Sequence, residues 1–186
     1  MIKQELEVLF PQFLQINDPK LREHSENAML IAMERGGWNG ETVGKCPVTL
    51  NWPDCSVTWV EHVSDVTNIC IAAYETQEKY YRRNGVPLCR DIVVAGALLH
   101  DIGKLTEFSM ENGRIGHSGS YRLMRHPLAG AIIAHDAGLP DALVHLIAVH
   151  SFEGDRSYQT AESAFVRKLE VGGQAVLGRQ VSDATP

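Results

Sequence analysis

The sequence predicts an all-α fold, a single-domain bundle of about six to eight helices with a Gly/Pro-rich insertion loop. Apolar residues recur at helical spacing through most of the 186 residues, whereas runs that alternate apolar and polar residues, as surface strands do, are nearly absent. A composition of 44% hydrophobic and 22% charged residues is typical of globular proteins. A chain of this length suits one domain with a sizeable core.

The first 55 residues contain two helices and a long irregular segment. Residues 2–16 carry apolar side chains at helical spacing but are interrupted by Pro11, which kinks or divides the element. The next helix covers 18–35, with Asp18 as its cap and Pro19 in its first turn. Residues 36–54 are rich in Gly, Asn, Pro and Thr, and form either a functional flap or a surface excursion. We favour the excursion, because long loops are not reliably functional.

Five further helices are predicted from helical spacing and from start and stop signals. They cover residues 56–84 with Ser56 as cap, 91–102, 126–136, 140–150, and 160–170 with Thr160 as cap. The longest should bury a stripe made of Trp59, Val63, Val66, Ile69, Ala73 and Tyr81. Gly103 is expected to end its helix in the left-handed conformation, and 106–122 is expected to be a loop.

These elements suggest one structural domain in three parts. Residues 1–55 would pack on a core formed by 56–171, and 172–186 would be a flexible tail. The start of the chain has no basic stretch followed by an apolar segment, and no window reaches the roughly 18 apolar residues of a membrane span. We therefore expect a cytoplasmic protein.

Charge and cysteine content narrow the function classes. The net charge of −6 argues against a broad basic surface that would grip nucleic acid, so we expect a small ligand. The four cysteines include no Cys-x-x-Cys pair, which argues against a thiolate zinc site or a dithiol redox motif. Reduced structural thiols are the favoured interpretation.

The most informative motif is the pair His100-Asp101 at the end of the apolar run 93–99. Burying these groups is costly unless something pairs with them, and a metal ion would do so. Imidazole nitrogen and carboxylate oxygen suit zinc, manganese, iron, cobalt or nickel. Adjacent helix residues point about 100° apart, so both side chains could face one centre only if the helix is distorted near Gly103. Alternatively, Asp101 could bridge two ions with one oxygen each.

Other helical segments offer further histidines, but each has an ordinary structural explanation. His62 alone is more often a packed or surface residue, His126 lies in a first helical turn, and His150 on an apolar stripe is more often a hydrogen-bonded core residue. His135, in a second His-Asp pair, has almost the same periodicity as His150. We interpret His135 as the end of a helix, where the helix dipole favours histidine.

The order of these motifs resembles the HD-domain superfamily of metal-dependent phosphohydrolases, in its His-Asp-Ile-Gly form. The resemblance covers roughly 56–170 and rests on His62, then 100–104 (His-Asp-Ile-Gly-Lys), then 125–127 (Arg-His-Pro), then His150-Ser151. It implies an HD-type helical fold with one or two divalent transition-metal ions (Fe, Mn, Co, Ni or Zn). In such proteins the first histidine, the His-Asp pair and a late aspartate bind one ion, and two further histidines bind a second ion that the first aspartate bridges.

Carried over by position, the resemblance assigns the metal ligands to six residues. These are His62, His100, Asp101, His126, His150 and Glu170. Glu170 stands where similar proteins have the late aspartate, and Arg167 and Lys168 replace the two histidines that usually precede it.

The resemblance implies hydrolysis of a phosphate monoester or phosphodiester of a nucleotide-like small molecule by metal-activated water. Asp101 and Lys104 would be catalytic, and Lys104, Arg125 and His117 would bind the substrate, with His117 as a proton donor to the leaving oxygen. Lys104 could instead be a solvated residue at a helix end, and His117 an exposed loop residue.

Two other functions are compatible with the same motifs, a non-catalytic metal or nucleotide sensor and a diiron oxygenase of the HD superfamily. The expected partner is a small phosphorylated substrate rather than a membrane or an extended nucleic acid, and the chain is compatible with a homo-oligomer. The shape of the binding pocket should depend on the 36–54 and 106–122 loops.

Overall fold

A computed structural model describes residues 3–52, 55–111 and 113–176. Within these ranges the chain forms eight α-helices and one antiparallel hairpin, which confirms the predicted helical bundle. The elements are α1 (Lys3–Leu9), α2 (Pro19–Gly36), α3 (Trp59–Arg83), α4 (Arg90–Leu99), α5 (Lys104–Glu107), β1 (Phe108–Glu111), β2 (Arg114–His117), α6 (His126–Asp136), α7 (Asp141–Val149) and α8 (Ala161–Val176).

The N-terminal helices begin and end where local chemistry predicts. Pro11 separates α1 from a short 3-10 helix, Pro11–Gln15. The Asp18 carboxylate accepts hydrogen bonds from the first free backbone N–H groups of α2, and Gly37 ends that helix with a φ of 72°.

Helix α3 begins two residues later than predicted, with Thr58 rather than Ser56 as its cap. Thr58 and Glu61 form a reciprocal capping box. The residues just before it are held extended, because the backbone N–H of Val48 donates to Val57 and that of Trp59 donates to Cys46. These bonds occupy the backbone that a cap at Ser56 would have needed.

Two apolar clusters form the interior. The larger combines the N-terminal elements with α3, α4, α6 and α7, and the smaller lies between α3, α4, α7 and α8. Most of the stripe predicted for α3 is buried or half-buried, but Ile69 is 42% exposed and does not belong to it.

The structure differs from the predictions near Gly103. This residue has a φ of −65°, so it does not end α4 in the left-handed conformation. Its lack of a side chain serves packing instead, because a Cβ here would lie 2.0 Å from the carbonyl oxygen of His126 and 2.7 Å from the amide nitrogen of Gly130. The turn after α4 therefore lies directly against the backbone of α6.

Part of the predicted 106–122 loop is a hairpin, in which Phe108 pairs with His117 and Glu111 with Arg114. The sequence signal for it is the dipeptide Asn112-Gly113, which favours two-residue turns between strands, and Gly113 has a φ of 76°. At the other end of the chain, Thr160 caps α8 as predicted. Helix α8 continues to Val176, so residues 172–176 of the expected tail are helical, and 177–186 lie outside the described residues.

Candidate metal centre

Five helices bring the six predicted metal ligands together. His62 lies on α3, His126 begins α6 and Glu170 lies on α8, whereas His100 and His150 are the residues that directly follow α4 and α7. Asp101 occupies the turn after His100. The side chains of all six residues are buried, none being more than 9% exposed.

Asp101 lies at the middle of the group, and each of its carboxylate oxygens faces two imidazoles. Oδ2 lies 3.4 Å from Nε2 of His62 and 3.4 Å from Nε2 of His100. Oδ1 lies 3.3 Å from Nε2 of His126 and 3.4 Å from Nε2 of His150. Helix α4 ends at Leu99, and His100 and Asp101 follow it in a turn from which both side chains reach the same group of atoms.

The ligand atoms fall into two groups whose members lie within 4.8 Å of one another. One group is His62, His100 and Glu170, and the other is Asp101, His126 and His150. These groups match the two sets implied by the sequence resemblance, with Asp101 between them. The structure thus places Glu170 beside His62 and His100, in the group for which the resemblance implies the late aspartate.

Hydrogen bonds on the far side of the His100 and His150 rings determine which nitrogen faces the centre. Nδ1 of His100 and Nδ1 of His150 each lie 2.7 Å from a backbone carbonyl three residues earlier, that of Ala97 and that of Ile147. A carbonyl only accepts, so each Nδ1 carries the proton, and in the neutral ring Nε2 has a free lone pair. The same bonds satisfy carbonyls that the end of a helix leaves without partners.

These residues fit divalent metal ions. Nε2 of His150 and Oδ1 of Asp101 are fully buried without a normal hydrogen bond, a costly state unless another partner binds them. Two ligand atoms bound about 2.0–2.1 Å from one tetrahedral ion are about 3.3 Å apart. The observed separations of 3.3–3.4 Å around Asp101 agree with this value. Histidine and carboxylate donors without thiolates are typical of zinc, manganese, iron, cobalt and nickel sites.

The centre has a negative charge at its middle. Burial opposes ionisation of Asp101, but the charges of Lys104 and His100 outweigh it and hold the pKa of this carboxyl well below its usual range. Burial lowers the pKa of His62 and of His126, which favours the neutral imidazole that metal binding needs. Burial also acts to lower the pKa of His100, but the Asp101 carboxylate outweighs it and raises this pKa.

Lys104 is part of the centre and not a solvated helix-end residue. Its side chain is only 12% exposed, and Nζ lies 2.7 Å from Oδ2 of Asp101. The two residues are three positions apart across the short turn that leads into α5.

Arg125 lies between two acids. Its Nη1 donates to Glu107 at 2.7 Å, and its Nε donates to Glu153 at 3.3 Å. Much of its charge is therefore compensated within the protein.

A cavity of about 190 Å³ adjoins the ligand groups. Its lining includes the three predicted substrate-binding residues, two metal-ligand candidates and several aromatic rings: Lys104, Arg125, His117, His126, Glu170, Trp52, Phe108 and Phe152. Residues 48–52 also line it, so the 36–54 segment reaches the site as the flap alternative suggested, and is not a mere surface excursion. His117 ends β2, and its ring stacks on Tyr121 with centroids 3.9 Å apart.

Glu107 is a further residue of the site, and its sequence pattern did not predict this role. It is 3% exposed, and its carboxylate accepts from Arg125 and from both the backbone N–H and the ring Nδ1 of His126. Its partners lie 18 and 19 residues away, so no local periodicity could have revealed this role. The only sequence signal is an acid between the apolar residues Leu105 and Phe108.

The cysteines and His135 belong to neither ligand group, although Cys55 lines the cavity. All four cysteines are free thiols, and burial raises the pKa of Cys46 and of Cys70 to about 12, so neither forms a thiolate near neutral pH. The side chain of His135 is 78% exposed, in agreement with its interpretation as the end of a helix.

Sequence comparisons find a curated relative and a family model that match this chain. The chain is 32% identical over 120 residues to the dihydroneopterin 2',3'-cyclic phosphate phosphodiesterase of Methanocaldococcus jannaschii, a match that covers 63% of this chain and 46% of that relative. The chain thus spans a little under half the length of the curated relative. No solved structure matches it. Within the described ranges, no helix combines the length and hydropathy needed to cross a bilayer.

The match to a family model is broader than the match to the relative. It is described as the HD domain, and it extends over residues 59–184, a range that contains every candidate ligand. The chain belongs to the HD domain family.

Proposed function

We propose that this protein hydrolyses a phosphodiester or phosphate monoester of a small, nucleotide-like molecule at a centre of two divalent metal ions. The observation that carries the proposal is the position of Asp101, whose two oxygens each lie 3.3–3.4 Å from two imidazole nitrogens beside a cavity lined by cationic side chains. Membership of the HD domain family and the phosphodiesterase relative support the same reaction class.

In this proposal the ligands are the six residues expected from the sequence. His62, His100, Asp101 and Glu170 would hold one ion, and Asp101, His126 and His150 the other. When bound, such ions lower the pKa of water from about 15.7 to about 7 and offset charge on the phosphoryl oxygens.

The residues that line the cavity would bind and orient the substrate. Lys104 places its ammonium group beside Asp101 and could contact a phosphoryl oxygen from there. Arg125 would contribute a weaker contact, because Glu107 and Glu153 already compensate its charge. Stacking on Tyr121 orients the imidazole of His117, which we propose as the proton donor to the leaving oxygen.

The substrate should be compact and should carry a ring. The cavity of about 190 Å³ is smaller than the roughly 300–1,000 Å³ of most ligand sites. Trp52, Phe108 and Phe152 offer flat apolar surfaces, which suit a heteroaromatic base. The relative's name identifies a cyclic phosphate of a pterin, so we propose a small cyclic phosphodiester as the first substrate to test.

The proposal can be tested with purified protein loaded with manganese, iron, cobalt, nickel or zinc. Substrates would be bis-p-nitrophenyl phosphate, p-nitrophenyl phosphate, 2',3'-cyclic nucleotides and dihydroneopterin 2',3'-cyclic phosphate. We expect turnover that requires metal. Either substitution, Asp101→Asn or His100→Ala, should abolish it. Turnover that survives both substitutions would contradict the proposed centre.

Two other outcomes correspond to the alternative functions. Binding of metal and nucleotide without turnover of any substrate would indicate a sensor. Coloured, iron-rich protein that consumes oxygen and cleaves no phosphate ester would indicate an oxygenase.

A further inference from the structure

We propose that Glu107 is a positioning residue for the second metal position, and that it couples the orientation of the His126 imidazole to that of the Arg125 guanidinium. This inference rests on the proposed two-ion centre. It concerns a residue outside both ligand groups.

The contacts of Glu107 differ from those that orient the other ligands. His100 and His150 are each oriented by a neutral backbone carbonyl of their own helix. His126 begins α6, so it has no carbonyl three residues earlier within the helix to accept from its Nδ1. Oε2 of Glu107 takes that place, 3.0 Å from Nδ1 and 2.8 Å from the backbone nitrogen of the same residue.

These two contacts determine the state of the His126 ring. A carboxylate accepts hydrogen bonds, so Nδ1 carries a proton, and Nε2, which lies 3.3 Å from Oδ1 of Asp101, is the nitrogen that faces the second ligand group. A carboxylate behind a histidine ligand also increases the basicity of the ring more than a neutral carbonyl does. Glu107 therefore adds negative charge behind the second ligand group, which has only the shared Asp101 as its own acid.

The second oxygen of Glu107 has a different partner. Oε1 accepts from Nη1 of Arg125 at 2.7 Å, so one buried carboxylate bonds two adjacent residues. Of these, His126 faces the ligand group, and Arg125 lines the cavity. Movement of either partner would disturb the other. The side chain of Arg125 is 38% exposed, and that of Glu107 only 3%, so the acid is the fixed point of the pair.

The test compares Glu107→Gln with Glu153→Gln. Both variants remove a carboxylate that contacts Arg125, but only Glu107 contacts His126. Glutamine has the same shape as glutamate, but its amide nitrogen must face either Arg125 or His126, and both present donors. Manganese binding would be followed by calorimetry and by electron paramagnetic resonance, and the tautomer of His126 by long-range ¹H–¹⁵N NMR in the metal-free protein.

We expect Glu107→Gln to weaken binding of the second manganese ion about 10- to 100-fold, which is the usual effect of losing a residue that hydrogen-bonds a metal ligand. Binding of the first ion should not change. His126 should lose its uniform Nδ1–H form. Glu153→Gln should bind both ions as the unmodified protein does. If Glu107→Gln does not fold, Glu107→Asp replaces it, because this side chain keeps the charge but is one methylene too short for both partners.

The inference is overturned if either folded variant binds the second ion as tightly as the unmodified protein does and shows the same His126 tautomer. If the unmodified protein binds a single ion at every concentration, the two-ion part of the proposed function fails. The tautomer measurement still decides the role of Glu107 in that case, because it requires no metal.

Discussion

Replacement of Gly103 by alanine should disturb the metal centre from outside it. An added Cβ would lie 2.0 Å from the carbonyl oxygen of His126, whereas real Cβ contacts stay beyond 3.0 Å, so the two backbones must separate by at least about 1 Å. Both neighbours are main-chain atoms and cannot rotate away. Asp101 is two residues before Gly103, so its separation of 3.3 Å from Nε2 of His126 should change by a comparable amount.

Overpacking of this kind usually costs about 1–3 kcal/mol of unfolding free energy, or roughly 2–12 °C in Tm for a chain of this length. A misplacement of about 1 Å at a catalytic group typically costs about 100-fold in rate. Gly44→Ala is the matched control, because a Cβ there has nothing within 4 Å. Thermal unfolding, manganese affinity and kcat would be measured for both variants. If Gly103→Ala matches Gly44→Ala in all three, close backbone packing does not hold the centre together.

Three further predictions concern α3, α8 and the pH dependence of metal binding. Thr58→Ala removes one half of the capping box and should cost about 0.5–2 kcal/mol of unfolding free energy. Metal affinity should not change. An unchanged denaturation midpoint would count against the stabilising role of the cap. Glu170→Gln should weaken binding of the first ion only, which calorimetry would measure. Loss of second-ion binding alone would contradict the assignment of ligands. Because Asp101 raises the pKa of His100 above its usual 6.5, protons compete with metal at that ring already above pH 6.5. Manganese affinity should therefore fall as the pH decreases through this region, and a constant affinity between pH 8 and 6 would refute the argument.

The sequence predicted the helices and the candidate ligands that the structure brings together, because both leave local signals. The caps Asp18 and Thr160 and the helical spacing around His150 follow from contacts within a few residues. The order of the histidines identified the family, and the family implied their convergence.

What could not be predicted depends on contacts between distant segments. Gly103 reads as a helix stop in the sequence, but its role comes from α6, more than 20 residues away. Glu107 likewise has its partners on α6 and just before it. The path of residues 48–52 over the cavity depends on hydrogen bonds to the residues just before α3, such as that from Val48 to Val57, and composition alone does not specify these.

The short helix α5 limits how this site can vary. Lys104 at its start bonds Asp101, and Glu107 at its end bonds His126, so a single turn spans the distance between two candidate ligands. Adding or deleting one residue would rotate one end by about 100° relative to the other and separate both contacts at once. Changes of length among related sequences should therefore be rare between 101 and 107 and should be tolerated better at the tip of the hairpin that follows.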